Sequence, residues 1–431
     1  MKKTYAAIVA VLFLYIVGGN AVTFNIAGKI SIKISEIASI ILGLMLLKYF
    51  LNTKLDGSMC WILAWGILSA VLILVNTVAY KFGTDDLLEA FLYLFRFIYG
   101  VLIACVSARY VAEWGKRTEI IKIINFCYII VCFIGFFQLI FYPVAQDWYE
   151  EFYRFGVHWA EPDPHINRLI STYFDPNYLG SCLLLGVAAD LYLLRSFRKK
   201  GVSVTGGCWK YIVCFFIYAI TLLLTQSRSG ILGLIILIFV YALMSVDFKN
   251  IKLHGVIIAG VTLVAGVYLV FFSGITVFVR IRGALQDTSA LARFSSWGKG
   301  FEALKDTGFL GVGYNLFGAF NRMMYGNDHI QTSYGNDSSI LLILITSGIM
   351  GFIIFAAHLI SIWRNKQTLK EMKCVILLSL VICNFNNLLF FSVWVYPFYF
   401  MIYLFLERPC KREKGLPVNI EITGRHKEQI Q

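Results

Sequence analysis

The feature that most constrains this chain is a series of apolar blocks, most of them about 18 residues or longer and rich in leucine, isoleucine, valine and phenylalanine. A helix of that length crosses the roughly 30 Å of hydrocarbon in a bilayer. Charged residues make up only 15% of the 431 residues, against about 25% in globular proteins. The sequence therefore predicts an all-α polytopic membrane protein.

We predict about twelve spans, which form one domain over residues 1–407, followed by a basic, disordered cytoplasmic tail over 408–431. The predicted spans are 4–19, 33–51, 60–79, 88–109, 120–142, 177–194, 210–225, 229–246, 254–273, 338–362, 374–391 and 393–407. Only Ser392 and the polar run Asn384, Asn386 and Asn387 separate the last two spans.

The distribution of lysine and arginine sets the predicted orientation. With a cytoplasmic N-terminus, the inner segments hold roughly twice as many of these residues as the outer segments, as the positive-inside rule requires. Both termini are then cytoplasmic, and two longer outer loops cover 143–175 and 274–337. The net charge of +13 is spread over short clusters between spans, so it reflects topology and not nucleic-acid binding.

The cysteine and histidine pattern predicts no metal site and no cofactor. None of the ten cysteines lies in a long polar loop or forms a CxxC pair, so we expect small buried hydrophobes. His158 and His165 share the first outer loop without the spacing of metal ligands.

Polar motifs interrupt the apolar background at the outer ends of the spans. The first runs from Arg168 to Asn177. Asp175 is a good N-cap and Pro176 suits the first helical position, so capping explains Asp175 and Asn177 as well as substrate binding does. Arg168 needs no capping role, which favours a function for it.

The second motif, Thr225-Gln-Ser227-Arg228-Ser-Gly230, is a tight turn between two spans. The helix that follows presents free N–H groups and a positive dipole end, and an arginine beside such an end is suited to a phosphate. The alternative is a polar hairpin with a snorkelling arginine. We favour an anion site at Arg228.

The third motif lies on the longest outer loop. Phe294, Trp297, Phe301 and Leu304 recur at helical spacing, which predicts an amphipathic helix on the membrane or on the bundle. Arg293 lies off this apolar stripe, and a turn at 311–315 follows the helix. That glycine-containing turn lacks the strand and helix of a dinucleotide fingerprint.

The fourth motif, Asn336-Asp337-Ser-Ser, begins the tenth span. Asp337 either caps this helix or acts as a base beside a polar loop. His329 lies eight residues earlier, where solvation is the simpler explanation.

Two charged residues lie within spans. Arg96 is near the middle of the fourth span, where an ionised group is costly and usually functional. Asp190 lies near the inner end of its span, and pairing with the Arg195 cluster is the simplest account of it.

These motifs, in this order, resemble the bacterial O-antigen ligase and polymerase superfamily over about residues 60–390. The matching pieces are Arg168 to Asn177, Thr225 to Gly230, Arg293 with Trp297 and the turn at 311–313, and the start of the tenth span followed by Gly348 and Gly351.

The resemblance implies a metal-independent inverting glycosyltransferase whose donor is a glycan on undecaprenyl pyrophosphate. Arg228, Arg168 and Arg293 would hold the pyrophosphate, and we add Arg96 from its position in the span. Asp337, or second His329, would be the base, and Ser227, Asp175, Asn177 and Asn336 would bind substrate. A flippase and a chain-length regulator are the partners that the resemblance implies.

Ligases of the superfamily carry a histidine eleven residues before the glycine that matches Gly348, and this chain has Asp337 there. The departure favours a Wzy-type polymerase of repeat units for an O-antigen, capsule or exopolysaccharide. A ligase is the alternative, and a lipid-linked oligosaccharide flippase is the second. A transporter often shows inverted repeats and broken helices near the midplane, and the sequence has no repeat.

Overall fold

The computed structural model describes residues 2–26, 30–154, 165–199, 208–245, 288–326 and 338–406. The helices, numbered in chain order, are α1 Lys2–Phe13, α2 Ile34–Asn52, α3 Gly57–Tyr80, α4 Thr84–Glu113, α5 Arg117–Phe141, α6 Ala145–Tyr153, α7 Pro176–Lys199, α8 Trp209–Thr225, α9 Arg228–Ser245, α10 Thr288–Asp306, α11 Phe317–Tyr325, α12 Ser339–Arg364, α13 Lys370–Ile382 and α14 Ser392–Leu406. A π-helical turn Leu14–Gly18, strands β1 Thr23–Ile26 and β2 Ile30–Lys33, and 3₁₀ turns Ser171–Tyr173 and Leu388–Phe390 complete the described elements.

Six helices in these ranges, α2, α3, α4, α5, α7 and α12, are long and apolar enough to cross a membrane, while α8, α9 and α14 are shorter apolar helices. Helices thus occupy most of the predicted spans, and the prediction of a polytopic helical membrane protein is confirmed. The number of spans and the orientation stay predictions. The ninth predicted span and the C-terminal tail lie outside the described residues.

Two predicted spans are not single continuous helices over their predicted ranges. The first is α1 continued by the π-helical turn. The eleventh, predicted at 374–391, is α13, which begins at Lys370 and already ends at Ile382. The asparagine run therefore does break the helix, and a 3₁₀ turn follows before α14 begins.

A short antiparallel hairpin departs from the all-α prediction. Its strands pair Thr23 with Lys33 and Phe24 with Ile32, and their β-branched and aromatic residues suit a pleated pair. The Arg96 guanidinium donates to the Ser31 carbonyl oxygen at 3.0 Å. The hairpin thus packs against α4 instead of extending away from the bundle.

Trp65 of α3 lies at the centre of the aromatic core. It is fully buried, and its ring meets those of Phe97 and Phe355 edge-on at centroid distances of 5.5 Å. Its Nε1 donates to Ser347 Oγ at 3.1 Å, so a polar atom in the core is satisfied. By contrast, Leu51 and Val78 are largely exposed, as expected on helix faces turned to lipid.

The helix α12 is broken at Gly348, which has φ 64° and ψ −173°. The turn from the long loop fills the break: Val312 N–H donates to the Ile345 carbonyl at 2.8 Å and Gly313 N–H to the Thr346 carbonyl at 2.9 Å. Non-helical backbone is tolerated within a bundle where protein groups satisfy it in this way. The turn at 311–313 is therefore an inserted structural element of the core.

The amphipathic helix of the long loop is confirmed as α10, but its buried face differs from the predicted stripe. Ala303 and Leu304 are buried, whereas Phe294 and Phe301 are about half exposed. Ala303 packs with Phe317 and Ile345, so small residues let α10 approach α12 closely. Two of the four aromatic and apolar positions in the predicted stripe face away from the bundle, an arrangement suited to lipid contact.

The interpretation that Asp190 pairs with the Arg195 cluster is wrong for Arg195 itself, while the side chains of Arg198, Lys199 and Lys200 lie outside the described residues. Arg195 forms an ion pair with Glu371 of α13 at 3.0 Å, and Asp190 accepts a hydrogen bond from Asn125 Nδ2 at 3.4 Å. At the same end of the bundle, Arg109 forms an ion pair with Asp56, which also caps α3. We call this the Asp56 end and the opposite one the Arg168 end.

Candidate active site at the Arg168 end of the bundle

Arg168 joins two of the predicted motifs. Its Nε donates to the carbonyl oxygen of Thr225 at 3.0 Å, and its Nη1 lies 3.1 Å from His165 Nδ1. The neighbouring Leu169 N–H donates to the Leu224 carbonyl at 3.1 Å. Arg168 is buried with 7% exposure, so its guanidinium is held in place against the C-terminus of α8.

The turn between α8 and α9 follows directly from this contact. Gln226 adopts a left-handed conformation, φ 51°, and ends α8, while its side chain donates to the Asn167 carbonyl at 3.1 Å. Arg228 begins α9 and is half-buried. Both predicted arginines therefore lie at the same end of the bundle, beside the positive end of α9.

Asp175 is the N-cap that its sequence position suggested. Its Oδ1 accepts from the backbone N–H groups of Asn177 at 2.7 Å and Tyr178 at 2.9 Å. Asn177 does more than extend the helix, because its Oδ1 accepts from Ser227 Oγ at 3.1 Å. The first and second motifs are thus also joined through their predicted substrate-binding residues.

Glycines let α7 and α9 cross closely beneath this contact. A Cβ added at Gly230 would lie 3.1 Å from the Cα of Gly180, a distance that requires the backbone to move. The glycine at the end of the second motif therefore has a packing role, which brings Ser227 and Ser229 against α7.

Asn386 also belongs to this site, although its position in the sequence indicates only a helix break. Its Nδ2 donates to Ser229 Oγ at 3.1 Å and lies 3.3 Å from Ser181 Oγ. Its backbone carbonyl oxygen accepts a hydrogen bond from Ser339 Oγ at 3.0 Å. One buried asparagine thus connects α7, α9 and the first turn of α12, and the polar run at 384–387 was the signal that could have revealed it.

The fourth motif enters the site through Ser338 and Ser339. Ser338 Oγ accepts from Leu341 N–H at 3.2 Å and so caps α12. This removes the need for Asp337 as a cap. Asp337, Asn336 and His329 themselves lie outside the described residues, as does the side chain of Arg293, so their roles stay predictions.

Arg96 is held by groups of β2, α2 and its own helix. Its Nη2 forms an ion pair with Glu36 Oε1 at 2.6 Å, and its guanidinium lies 4.8 Å from the ring centroid of Tyr93. These contacts account for a charge in the middle of a span. Its assignment to pyrophosphate stays a prediction.

The two described helices of the long loop, α10 and α11, are joined to each other and to α4. Tyr325 of α11 donates to the carboxylate of Asp306 at the end of α10. Burial and this carboxylate raise the pKa of the Tyr325 hydroxyl above its usual value, so it stays protonated as the donor. Arg322 of α11 reaches Asp86 of α4 at 3.3 Å, which holds α11 against the start of α4.

The site consists of guanidinium groups, hydroxyls and amides around helix ends. Among the described residues there is no group of three or more histidine, cysteine, aspartate or glutamate side chains that could hold a metal ion. Arginine beside a helix N-terminus is well suited to a phosphate-like anion.

The fold and the site together define a polytopic helical membrane protein with a polar site at one end of its bundle. Residues 213–356 match the family model described as O-antigen ligase. No curated protein matches the chain. The matched segment covers about a third of the sequence and includes the Arg228 turn, α10 and the broken part of α12. It confirms the resemblance to the O-antigen ligase and polymerase superfamily and indicates a glycosyltransferase-like enzyme of that type.

Proposed function

We propose that the protein polymerises undecaprenyl-pyrophosphate-linked oligosaccharide repeat units at the outer face of the bacterial inner membrane. The glycan is transferred with inversion, and undecaprenyl pyrophosphate is released. The product is an O-antigen, a capsule or an exopolysaccharide. The observation that carries the proposal is the hydrogen bond from Arg168 to Thr225, which joins the Arg168 motif to the Thr225–Gly230 turn.

The arginines stabilise the leaving group in this mechanism. Breaking the anomeric carbon–oxygen bond builds negative charge on the departing pyrophosphate, and donors fixed beforehand stabilise that charge without reorganising. Arg168 is held by protein contacts, and Arg228 stands at a helix start. The lipid tail stays in the bilayer, so the pyrophosphate is expected at the depth of these helix ends.

Asp337 is the proposed base for the acceptor hydroxyl, with His329 as the second candidate. A carboxylate within hydrogen-bond reach of the hydroxyl would remove its proton as the new bond forms. Support comes from Ser338, which caps α12 in its place, and from Ser339, which joins the Asn386 contacts. The mechanism uses no metal.

The aspartate also favours a polymerase over a ligase. Ligases of the superfamily carry histidine at this position, eleven residues before the glycine matched by Gly348. Both enzymes would use the same donor, so the identity of the acceptor distinguishes them. A polymerase elongates another lipid-linked repeat unit, whereas a ligase transfers the glycan to a different lipid or to a protein.

The decisive experiment mixes purified protein in detergent with lipid-linked repeat units. We expect longer lipid-linked products, which a transporter cannot make and a ligase would not make from this acceptor. Arg228→Ala should abolish elongation while the amount of folded protein is kept. Arg154→Ala, which removes an exposed arginine that pairs with Glu151, is the matched control and should keep activity. Normal elongation by Arg228→Ala would contradict the proposal.

The proposed base has a separate test. Asp337→Asn keeps the size of the side chain but removes its basicity, so we expect transfer to slow by about 100-fold or more. His329→Asn is the comparison for the second candidate. Wild-type rates in both variants would exclude base catalysis by either residue. In cells, a flippase and a chain-length regulator are the proposed partners.

A further inference from the structure

A second basic cluster lies where β2 meets α2 and α4. The Lys33 backbone N–H donates to Glu36 Oε2 at 3.1 Å, and Arg96 holds Glu36 Oε1 at 2.6 Å. The Lys33 ammonium interacts electrostatically with both Glu36 and Arg96. Two cationic side chains therefore interact with a single carboxylate.

The ammonium of Lys33 stands at the N-terminus of α14. Its Nζ donates to Ser392 Oγ at 3.1 Å and lies 4.5 Å from the ring centroid of Phe391. The start of a helix is its positive end and favours anions. Lys33 is only 4% exposed, so burial also disfavours its charge. The Phe391 ring offsets part of this cost. A bound anion would also offset the unfavourable effects of burial, of the helix dipole and of the neighbouring Arg96 charge on the Lys33 ammonium.

The cluster is adjacent to the site around Asn177. The Phe391 ring, which Lys33 covers, packs against Tyr178 with centroids 4.2 Å apart. Tyr178 follows Asn177, whose side chain bonds Ser227. A pair of aromatic rings therefore separates the Lys33 cluster from the residues that join the first two motifs.

The cluster is not sealed from its surroundings. The side chain of Arg96 is 16% exposed, and Ser392, Ser31 and Tyr178 are half-buried. The cluster is therefore partly accessible at these residues.

We propose that Lys33, Arg96 and the N-terminus of α14 bind the diphosphate of the second lipid-linked substrate, the one that accepts the new linkage. This inference rests on the proposed polymerase function, because only a polymerase holds two lipid diphosphates at once. The Arg168 and Arg228 site takes the diphosphate that leaves. The aromatic pair between the two basic sites lies where the glycans would meet.

The first test counts bound lipid diphosphates, which needs no catalysis. Undecaprenyl pyrophosphate in detergent is added to the full-length protein, and the bound equivalents are measured by native mass spectrometry. We expect two for the wild type, one for Lys33→Met and one for Arg168→Ala. Undecaprenol, which has no phosphate, should show no difference between these proteins. Two equivalents bound by folded Lys33→Met, or one by the wild type, would overturn the inference.

The second test separates the two substrates kinetically. A donor whose accepting hydroxyl is blocked is paired with a labelled single repeat unit as acceptor. Lys33→Met should raise the KM for the lipid-diphosphate acceptor about 10-fold, the effect of losing one charge-assisted contact, and leave the KM for the donor unchanged. Lys33→Arg should restore most of the affinity. Lys81→Met, at an exposed lysine that ends α3, is the control.

A free repeat oligosaccharide without lipid or diphosphate is the final comparison. Lys33→Met should not change transfer to it. An equal loss with this acceptor would mean that Lys33 only supports the fold, and the inference would fail. If the wild type binds two lipid diphosphates yet elongates nothing, the result contradicts the proposed polymerase function but supports the second anion site.

Discussion

The Nε atom of Arg168 donates to the carbonyl oxygen of Thr225 at 3.0 Å. This bond links two segments that are 57 residues apart, and it uses a carbonyl at the C-terminus of α8 that has no partner within its helix. The guanidinium is consequently fixed before any substrate binds. A donor fixed in this way can stabilise developing charge without a cost of reorganisation.

Replacing Arg168 should therefore abolish most of the transfer activity. Arg168→Ala removes a fixed donor, and we expect elongation to fall by about 100-fold or more. Arg168→Lys keeps the charge but cannot contact Thr225 and a phosphate with one planar fork, so it should recover little. The measurement is the elongation rate of purified protein. Arg154→Ala, at an exposed residue of the Glu151 pair, should match wild type, and full activity in Arg168→Lys would show that charge alone suffices.

Asn386 should stabilise the site through its two side-chain contacts. Asn386→Ala removes hydrogen bonds to Ser181 and Ser229, and we expect a loss of about 1–2 kcal/mol in stability with slower elongation. Asn384→Ala is the matched control, since that amide donates to carbonyl groups of the adjoining α13. Thermal unfolding in detergent and elongation are both measured. Equal effects of the two substitutions on unfolding and elongation would show that the contacts of Asn386 do not stabilise the site.

The helices were predictable because their signal is local. Apolar length and the spacing of polar residues are properties of each segment alone, so most predicted spans coincide with helices. Arg168 and Arg228 were expected at one end of the bundle because the number of spans between them fixes that relationship. The capping role of Asp175 was also available from the residues around it.

The parts that escaped prediction depend on distant partners. The backbone groups freed by the break at Gly348 are hydrogen-bonded by the 309–313 segment, and no local sequence pattern predicts that insertion. Arg195 finds its partner on α13 instead of on its own helix. Asn386 was visible only as a polar interruption, and its contacts arise from the packing of three helices. Tertiary pairing decided each of these cases.

The ion pair at the Asp56 end should affect stability but not transfer. Arg109 is 4% exposed and Asp56 about a third exposed, so water offsets part of the cost of separating them. We expect Arg109→Met to lower stability by about 2 kcal/mol, less than the roughly 3–5 kcal/mol of a fully buried pair. Lys116→Met breaks an exposed pair and should cost less than about 1 kcal/mol. A large loss of elongation in folded Arg109→Met would contradict the separation of the two ends.

The break in α12 requires a glycine at position 348. Its φ of 64° is strained for any side chain, and an added Cβ would collide with the backbone carbonyl oxygens of Phe309 and Leu310. Backbone atoms cannot rotate away as a flexible side chain can, so Gly348→Ala should cost roughly 3 kcal/mol. Elongation should fall too, because the inserted turn packs against the start of α12 at the site.

Gly100→Ala provides the matched comparison for this substitution. Gly100 lies in the middle of α4, and an added Cβ there meets nothing within 4 Å. Alanine is a better helix former than glycine, so stability should stay equal or rise by up to about 1 kcal/mol. Thermal unfolding of both variants in the same detergent measures the difference. If Gly348→Ala unfolds at the wild-type temperature, the helix can close over the break, and the turn at 311–313 is not what keeps it open.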